Sequence, residues 1–381
     1  MRILLVGGGS GGHVTPLKAI AHQLRIQNPS DDISVITNRE FSDQANMLFS
    51  GHKDIKVHSI FAGKYRRYHS KSALWHILHM PTLLKNIRDV FYLGIGFMQS
   101  MYLVAIIKPD VVFCKGGFVC IPVGLASRLL NKKIIIHDSD TRPGLTNRIL
   151  SRWASVIATG MPTEFYPYEQ IKMRYLGMPV DPQFTVLTDA ARGKFKQQLG
   201  FEASQKILLV TGGGNGADSL NKKVSEIVGE LINQKWGIIH VAGPGKVAPL
   251  MKIRDKLPIK MQQNWHIEEF VDMVPRILAA DMVVARTSAS TLQECANCQK
   301  VVIGIPSPHL EDQNMNAEYF ASKEAIEVFS ESRQSSHELL VQIESLYADV
   351  AGSSKLAQNL HQNFAKPNAA KNLATIINRG K

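Results

Sequence analysis

The sequence predicts an α/β protein with two parallel sheets, and three observations lead to this class. Short apolar runs alternate with stretches of helical periodicity over the first 160 residues. The alternation stops in a segment rich in proline and glycine and then resumes. Each half opens with a strand, a glycine-rich loop and a helix. Because strands that alternate with helices form parallel sheets covered on both faces, we expect two doubly wound domains.

The elements follow from short β-rich runs bounded by turn residues. In the first half these runs predict strands over residues 3–6, 33–37, 111–114, 133–137 and 155–159, and periodicity predicts a helix over 16–27. Five prolines and glycines within residues 161–182 predict a linker. In the second half we expect strands over residues 206–210, 238–242, 265–268, 282–285 and 301–305. The chain from about residue 331 is polar and helical in pattern.

Composition limits the class of protein and partner. With 381 residues the chain exceeds the usual size of one domain, and four cysteines are too few for a disulfide framework. A formal net charge of +12 favours anionic partners. Because the first strand begins at residue 2, we expect no signal peptide. We find no uncharged apolar run of about eighteen residues and therefore expect no transmembrane helix.

A glycine-rich loop follows the first strand of each half. Its free N–H groups and the following helix dipole suit an anion. The first loop has the G-x-G-x-x-G pattern at Gly7, Gly9 and Gly12, which also marks dinucleotide oxidoreductases. Those enzymes need an acid at the end of the second strand, where this chain has Asn38 and Arg39. An NADP-linked oxidoreductase, or a nucleotide-binding protein without transfer activity, therefore remains an alternative function. No P-loop is present.

Four stretches carry a resemblance to one family. They are GGGSGGHVTP (7–16), KPDVVFCKGGFVCIP (108–122), TGGGNGADSLN (211–221) and ARTSASTLQECANC with HLEDQNMNAEYF (285–298 and 309–320). In this order and spacing the chain resembles the MurG family of glycosyltransferases over nearly its whole length. The resemblance implies the GT-B fold, two Rossmann-like domains whose parallel sheets face a central cleft. It implies inverting transfer of N-acetylglucosamine from UDP-GlcNAc to lipid I, forming lipid II. A related transferase with another lipid acceptor stays open.

The resemblance also implies the domain boundaries and the acceptor site. Residues 1–160 would bind the acceptor and dock on the membrane, 161–182 would link, 183–350 would bind the UDP-sugar, and a helix in 351–381 would cross back. His13 would either deprotonate the acceptor 4-hydroxyl or organise the acceptor phosphates. The residues expected to bind the acceptor, a muramyl peptide linked to a polyprenyl diphosphate, are Gly9, Ser10, Gly11, Gly12, His13, Gly116, Gly117 and Asn147.

The donor site is implied in the second half. Backbone N–H groups of the second glycine loop would neutralise the leaving UDP without a metal. Glu294 would accept bonds from the ribose hydroxyls, Phe270 and Val271 would face the uracil, and Gln313 and Asn316 would bond the sugar. The full donor set is Gly213, Gly214, Asn215, Gly216, Val271, Arg286, Thr287, Ser288, Ala289, Thr291, Glu294, Gln313 and Asn316.

The chain departs from the family pattern mainly at the acceptor half. Asp138, Ser139 and Asp140 stand where the family usually has Glu-Gln-Asn, and Arg142 could offset the added charge. Asp181 stands where an arginine is common. Phe118 and Cys120 replace the usual Tyr and Ser.

The segment 61–100 predicts peripheral docking at the cytoplasmic face of an anionic membrane. It interleaves basic residues with large apolar ones and contains a single acid, Asp89. We expect no nucleic-acid partner, no cofactor and no metal site. The pair Cys295 and Cys298 lacks a second pair at zinc spacing, so packing is the favoured interpretation.

Overall fold

The computed structural model describes residues 1–9, 11–52, 54–63 and 79–379. The contacts divide the chain into two units. The first comprises residues 1–139, 143–179 and those from 370, and the second comprises 140–142 and 180–369.

The first unit contains a parallel sheet of seven strands in the order β3-β2-β1-β4-β5-β6-β7. The strands are β1 (Arg2–Gly7), β2 (Asp32–Asn38), β3 (Lys56–Ile60), β4 (Val111–Gly116), β5 (Lys133–Asp138), β6 (Val156–Thr159) and β7 (Met173–Tyr175). The helices are α1 (Gly11–Gln27), α2 (Ser42–Phe49), α3 (Met80–Ile107), α4 (Cys120–Leu129) and α5 (Leu145–Leu150). The central strands are buried throughout, as expected where helices cover both faces of a parallel sheet.

The second unit contains a parallel sheet of six strands in the order β10-β9-β8-β11-β12-β13. The strands are β8 (Lys206–Thr211), β9 (Trp236–Val241), β10 (Trp265–Glu268), β11 (Met282–Ala285), β12 (Val301–Gly304) and β13 (Glu327–Val328). The helices are α6 (Asp189–Gln198), α7 (Asp218–Asn233), α8 (Val247–Arg254), α9 (Ile259–Gln262), α10 (Met273–Ala279), α11 (Ala289–Asn297), α12 (Glu311–Ala321), α13 (Ser336–Ala348) and α14 (Val350–Phe364).

The last helix, α15 (Ala369–Asn378), belongs to the core of the first unit. Leu373, Ala374 and Ile377 are fully buried and pack with strands β1, β2 and β4. Gln27, at the end of α1, donates to the Thr375 hydroxyl and accepts from the Asn378 amide. The C-terminal helix is therefore one of the helices that pack on the sheet of the first unit.

The predicted strands are confirmed, with ends shifted by one or two residues. Three strands were not predicted, because β3 and β13 are half-buried and short and β7 lies inside the predicted linker. Helix α1 begins at Gly11 rather than at residue 16. Pro16 only removes the N–H that would bond the Gly12 carbonyl, and the helix tolerates this loss near its start.

Helix α3 presents an apolar face to solvent. Six of its exposed apolar side chains recur every three or four residues and are Ile87, Phe91, Ile95, Met98, Tyr102 and Ile106. We call this set the α3 stripe. The other face is packed, since a Cβ on Gly96 would lie 1.9 Å from the Phe61 carbonyl oxygen and Ser100 and Val104 are fully buried.

The α3 sequence also corrects an expectation. Ile87–Ile107 has a mean hydropathy of 1.8 and is long and apolar enough to cross a membrane by length and composition alone. Core helices and signal sequences pass the same test, although this helix is mostly exposed. Residues 90–107 carry no charged side chain, so the expectation that no such run exists is wrong. Two glycines, a glutamine and a serine interrupt the run and lower its apparent hydrophobicity.

We predict that Leu373→Ala destabilises the first unit by about 2–5 kcal/mol, because it leaves a cavity in a fully buried site. Hydrogen exchange should accelerate in β1, β2 and β4 and stay unchanged in β8 and β11. The matched control is Leu129→Ala, whose side chain is 64% exposed. Equal exchange in both sheets would contradict the assignment of α15 to the first core.

Candidate functional site

Both sheets reverse their strand order at one point, and the glycine segments lie there. The reversal falls between β1 and β4 in the first unit and between β8 and β11 in the second. In open parallel sheets, ligands bind beyond the carboxyl ends of the strands at such reversal points. The loops that leave these four strands are therefore the candidate site segments.

In the first unit, the loops after β1 and β4 touch through their backbones. A Cβ on Gly117 would lie 2.1 Å from the Gly8 carbonyl oxygen, and Gly117 has a φ of +82°. Only glycine accepts this combination without displacement. The Gly9 N–H donates to Asn38 Oδ1 at 2.7 Å, so the amide at the end of β2 holds the first loop. Ser10, a predicted acceptor residue, lies outside the described residues.

His13 lies against the second of these loops. A Cβ on Gly116 would lie 3.2 Å from His13 Cδ2, and one on Gly117 would lie 3.2 Å from its Nδ1. Burial and the positive charge of Lys115 lower the pKa of His13 to about 3, against a weaker opposing hydrogen bond to the Gly8 backbone. Because a carbonyl only accepts, the ring nitrogen facing Gly8 carries the proton and the other nitrogen keeps its lone pair. His13 is therefore a neutral imidazole with one acceptor nitrogen.

Asn147 and His137 complete the interior of this site. Asn147 Nδ2 donates to the His137 carbonyl at 3.0 Å and lies 3.7 Å from the Cβ position of Gly116. Asn147 Oδ1 is buried and has no hydrogen-bond partner among the described residues. His137 Nε2 faces the Gly177 carbonyl at 3.0 Å. The structure thus brings Gly116, Gly117, His13 and Asn147 together.

Three of the residues that depart from the family pattern, Asp138, Ser139 and Asp140, each have a local partner. Asp138 accepts from the Tyr168 hydroxyl at 2.6 Å and from the Gly144 N–H at 3.3 Å. Ser139 Oγ accepts from Lys115 Nζ at 2.5 Å. Asp140 Oδ1 accepts from Asn316 Nδ2 at 2.9 Å, within the second unit.

In the second unit, the glycine loop follows β8 and leads into α7. Gly213 and Gly216 have φ values of +77° and +65°, and the Gly216 N–H donates to the Gly213 carbonyl. A Cβ on Gly216 would lie 2.0 Å from the Ala242 carbonyl oxygen, so this loop packs on the loop after β9. Asn215 is exposed at the tip. The sixteen-residue α7 begins at Asp218, directly behind these glycines.

The segment after β11 joins this loop to the end of β12. Arg286 is buried and donates to Ser219 Oγ at 2.8 Å and to the Ile305 carbonyl at 3.0 Å, and it forms an ion pair with Glu331 at 2.9 Å. Its guanidinium therefore fixes the start of α7. Sequence reasoning missed Ser219 and Glu331, and only the position of Ser219 in the first turn of α7 gave a signal.

Thr287, Ser288 and Thr291 are joined to the rest of the predicted donor set. Thr287 Oγ1 donates to the Gln313 carbonyl at 2.8 Å, and Ser288 Oγ donates to Thr291 Oγ1 at 3.0 Å. Gln313 Oε1 accepts from the Ser307 N–H at 3.0 Å. Val271 is half-buried after β10, next to Asp272.

Asn316 is fully buried and its amide is fully used. Nδ2 donates to the Asp140 carboxylate and the Thr287 carbonyl, and Oδ1 accepts from the N–H and the hydroxyl of Thr141. An amide group has two donor hydrogens and two acceptor lone pairs, so no capacity is left over. Its contact with a sugar stays a prediction that requires one of these bonds to open.

Glu294 lies on α11 and is buried. Burial raises the pKa of its carboxyl group to about 8, and the negative charges of Asp272 and Asp181 add to the effect. The carboxyl group is therefore largely protonated at neutral pH in the ligand-free protein. Cys295 and Cys298, on the same stretch, are both buried, and burial raises the pKa of both thiols.

We predict that Glu294 makes the protein less stable as the pH rises. Between about pH 4.5 and 8 the unfolded carboxyl group loses its proton while the folded one keeps it, so the free energy of unfolding falls across this window. Each unit of pKa difference corresponds to about 1.4 kcal/mol. Urea unfolding of Glu294→Gln at pH 5 and pH 8 should lack this component.

Asp181→Asn tests the cause of the shift, because removing that charge should lower the pKa of Glu294 and shrink the pH dependence in part. A Glu294→Gln variant with the same pH dependence as the parent would contradict the shift.

Sequence comparisons identify the family of both units. Residues 3–159 match the glycosyltransferase family 28 N-terminal domain, and residues 207–373 match the family 28 C-terminal domain. A UDP-N-acetylglucosamine–N-acetylmuramyl-(pentapeptide) pyrophosphoryl-undecaprenol N-acetylglucosamine transferase of Bacillus cereus is 32% identical over 349 residues, which cover 91% of each chain. The transferase of the same name from Flavobacterium psychrophilum is 30% identical over 99% of this chain and 96% of its own.

Solved structures agree in fold. MurG of Acinetobacter baumannii has a TM-score of 0.65 at 23% identity, with 99% of each chain covered. The UDP-GlcNAc 2-epimerase from Neisseria meningitidis bound to UDP-GlcNAc has a TM-score of 0.67 at 14% identity, with both chains fully covered. Fold alone therefore does not separate a transferase from an epimerase, whereas the sequence does. The chain belongs to glycosyltransferase family 28 and, within it, to the MurG family of GT-B glycosyltransferases.

Proposed function

We propose that the protein transfers N-acetylglucosamine from UDP-GlcNAc to the muramyl-peptide acceptor lipid I, with inversion at the anomeric carbon, and so forms lipid II. The observation that carries this proposal is the identity of 30–32% to transferases of that name over at least nine-tenths of the chain. The two reversal-point sites support it, because each combines a glycine loop with the N-terminus of the following helix, an arrangement that suits a diphosphate.

The donor would occupy the second unit. The glycine loop and the N-terminus of α7 would stabilise the charge that develops on the departing UDP. Arg286 is already committed to Ser219 and Glu331, so it would act by fixing that N-terminus. Glu294, with a raised pKa, would exchange a buried proton for hydrogen bonds from the ribose hydroxyls when the donor binds.

The acceptor would occupy the first unit, beside His13. A neutral imidazole is the form from which a general base acts, but a pKa of about 3 makes His13 a weak base, so the base role requires that the bound acceptor raise this pKa. Its place beside the glycine loops equally supports the organising of acceptor phosphates. The two roles differ in what the His13→Ala variant loses, since a base affects the rate and an organiser affects acceptor binding.

We predict that the protein converts UDP-GlcNAc and a short-chain lipid I analogue to a disaccharide product and UDP, detected by mass. His13→Ala should lower kcat by about 10²–10⁴-fold if His13 is the base. The control is His22→Ala, an exposed histidine of the same helix.

A different product would change the proposed function. UDP-GlcNAc turnover to its C2 epimer without transfer would overturn the proposal in favour of an epimerase. Transfer only to a different lipid acceptor would keep the donor half and replace the acceptor.

We also propose that the α3 stripe docks the protein on an anionic membrane surface, where a polyprenyl-linked acceptor resides. The stripe aligns large apolar side chains along one exposed helix face, with Arg88 at its start. Such a face suits burial at the level of the lipid headgroups. The basic residues Lys64, Arg66, Arg67 and Lys71, which the sequence also assigns to docking, lie outside the described residues.

We predict that Phe91→Ser with Met98→Ser weakens binding to phosphatidylglycerol-containing vesicles at least tenfold, because two large side chains no longer enter the lipid. The control is Ile171→Ser, which removes an apolar side chain that is 81% exposed elsewhere in the first unit. Co-sedimentation at constant salt measures the effect. Unchanged binding of the double variant would exclude the α3 stripe as the docking surface.

A further inference from the structure

A lysine is buried at the carboxyl end of β4, directly before the second glycine segment of the first unit. The Lys115 side chain has no exposed surface, and its Nζ donates to Ser139 Oγ at 2.5 Å. Lysine is almost never fully buried, because removing an ammonium group from water carries a large desolvation penalty. A charge kept at this position is therefore a candidate for a function of the site.

The groups around Lys115 are those of the acceptor site. Its positive charge lowers the pKa of both His13 and His137, in each case after burial, so it lies close to two neutral imidazoles. The next residue, Gly116, packs on the His13 ring, and Gly117 packs on the Gly8 carbonyl. Lys115 thus directly precedes the second glycine segment in β4 and is buried close to His13.

We propose that Lys115 is a positioning residue that makes this site select an acceptor carrying a diphosphate. This inference rests on the proposed function. A fixed cation in a low-dielectric interior attracts an anion far more strongly than one exposed to water. Its positive potential adds to that of the backbone N–H groups and of the α1 N-terminus. All three attract an anionic ligand. The buried ammonium acts through space, without touching the ligand.

Binding measurements test the inference independently of sugar transfer. A short-chain prenyl diphosphate and the matching prenyl monophosphate are titrated calorimetrically into the full-length protein, with saturating UDP present to block the donor site. The parent protein should prefer the diphosphate. Lys115→Met, which removes the charge but keeps the length, should weaken diphosphate binding at least tenfold and leave monophosphate binding within about threefold.

Two further variants separate the charge from the packing. Ser139→Ala removes the hydrogen bond and keeps the charge, so the preference for the diphosphate should persist. Lys133→Met removes one positive charge at the start of β5, at the opposite edge of the sheet, and should change neither affinity. Slow hydrogen exchange in β1 and β4 reports that the first unit of each variant is folded.

In the transfer assay, Lys115→Met should raise the KM for the lipid I analogue and leave the KM for UDP-GlcNAc within twofold. A Lys115→Met variant that keeps the diphosphate preference overturns the inference, whether or not transfer occurs. A preference that depends on Lys115 in a protein that makes no lipid II would sustain the inference and overturn the proposed function instead.

Discussion

Close contact between the backbones of neighbouring loops is the constraint on which both sites depend. At the reversal point of the first sheet, Gly117 meets the Gly8 carbonyl at a distance that no side chain allows. In the second unit, Gly216 meets the Ala242 carbonyl in the same way. The resulting loops lie at the carboxyl ends of the strands, where the N-terminus of a following helix contributes a positive partial charge. A diphosphate is the common chemistry that this arrangement suits.

Burial sets the charge state of the side chains that surround these loops. His13 is neutral because burial and Lys115 disfavour the imidazolium, and Glu294 is largely protonated because burial, Asp272 and Asp181 disfavour the carboxylate. The first site therefore combines a buried lysine with neutral histidines. In the second unit, Glu294 is largely protonated at neutral pH and therefore adds little negative charge. In both cases the ionisable group is poised to change its bonding when ligand arrives.

The sequence predicted the features that depend on hydrophobic periodicity and on glycine spacing. The central strands are continuous apolar runs and the loops after them are runs of glycine, so both were visible without coordinates. The bonding of Asn316 was not, because Asp140 and Thr141 are about 175 positions away along the chain. Lys115 gave a faint signal, a charge at the end of the apolar run of β4, but its burial depends on Ser139 from the next strand. The α3 stripe was hidden because small and polar residues interrupt it.

The residues that depart from the family pattern can be explained by the contacts that they make in the structure. Ser139 is short and supplies the oxygen that accepts a hydrogen bond from the Lys115 ammonium. Asp138 is held by Tyr168 and Gly144, and Asp140 is bonded to an amide that also holds Thr287. Arg142 pairs with Glu311, and Asp181 adds to the field that keeps Glu294 protonated. Asp138, Ser139 and Asp140 thus differ from the family pattern in residue type, and each is held by hydrogen bonds to the groups around it.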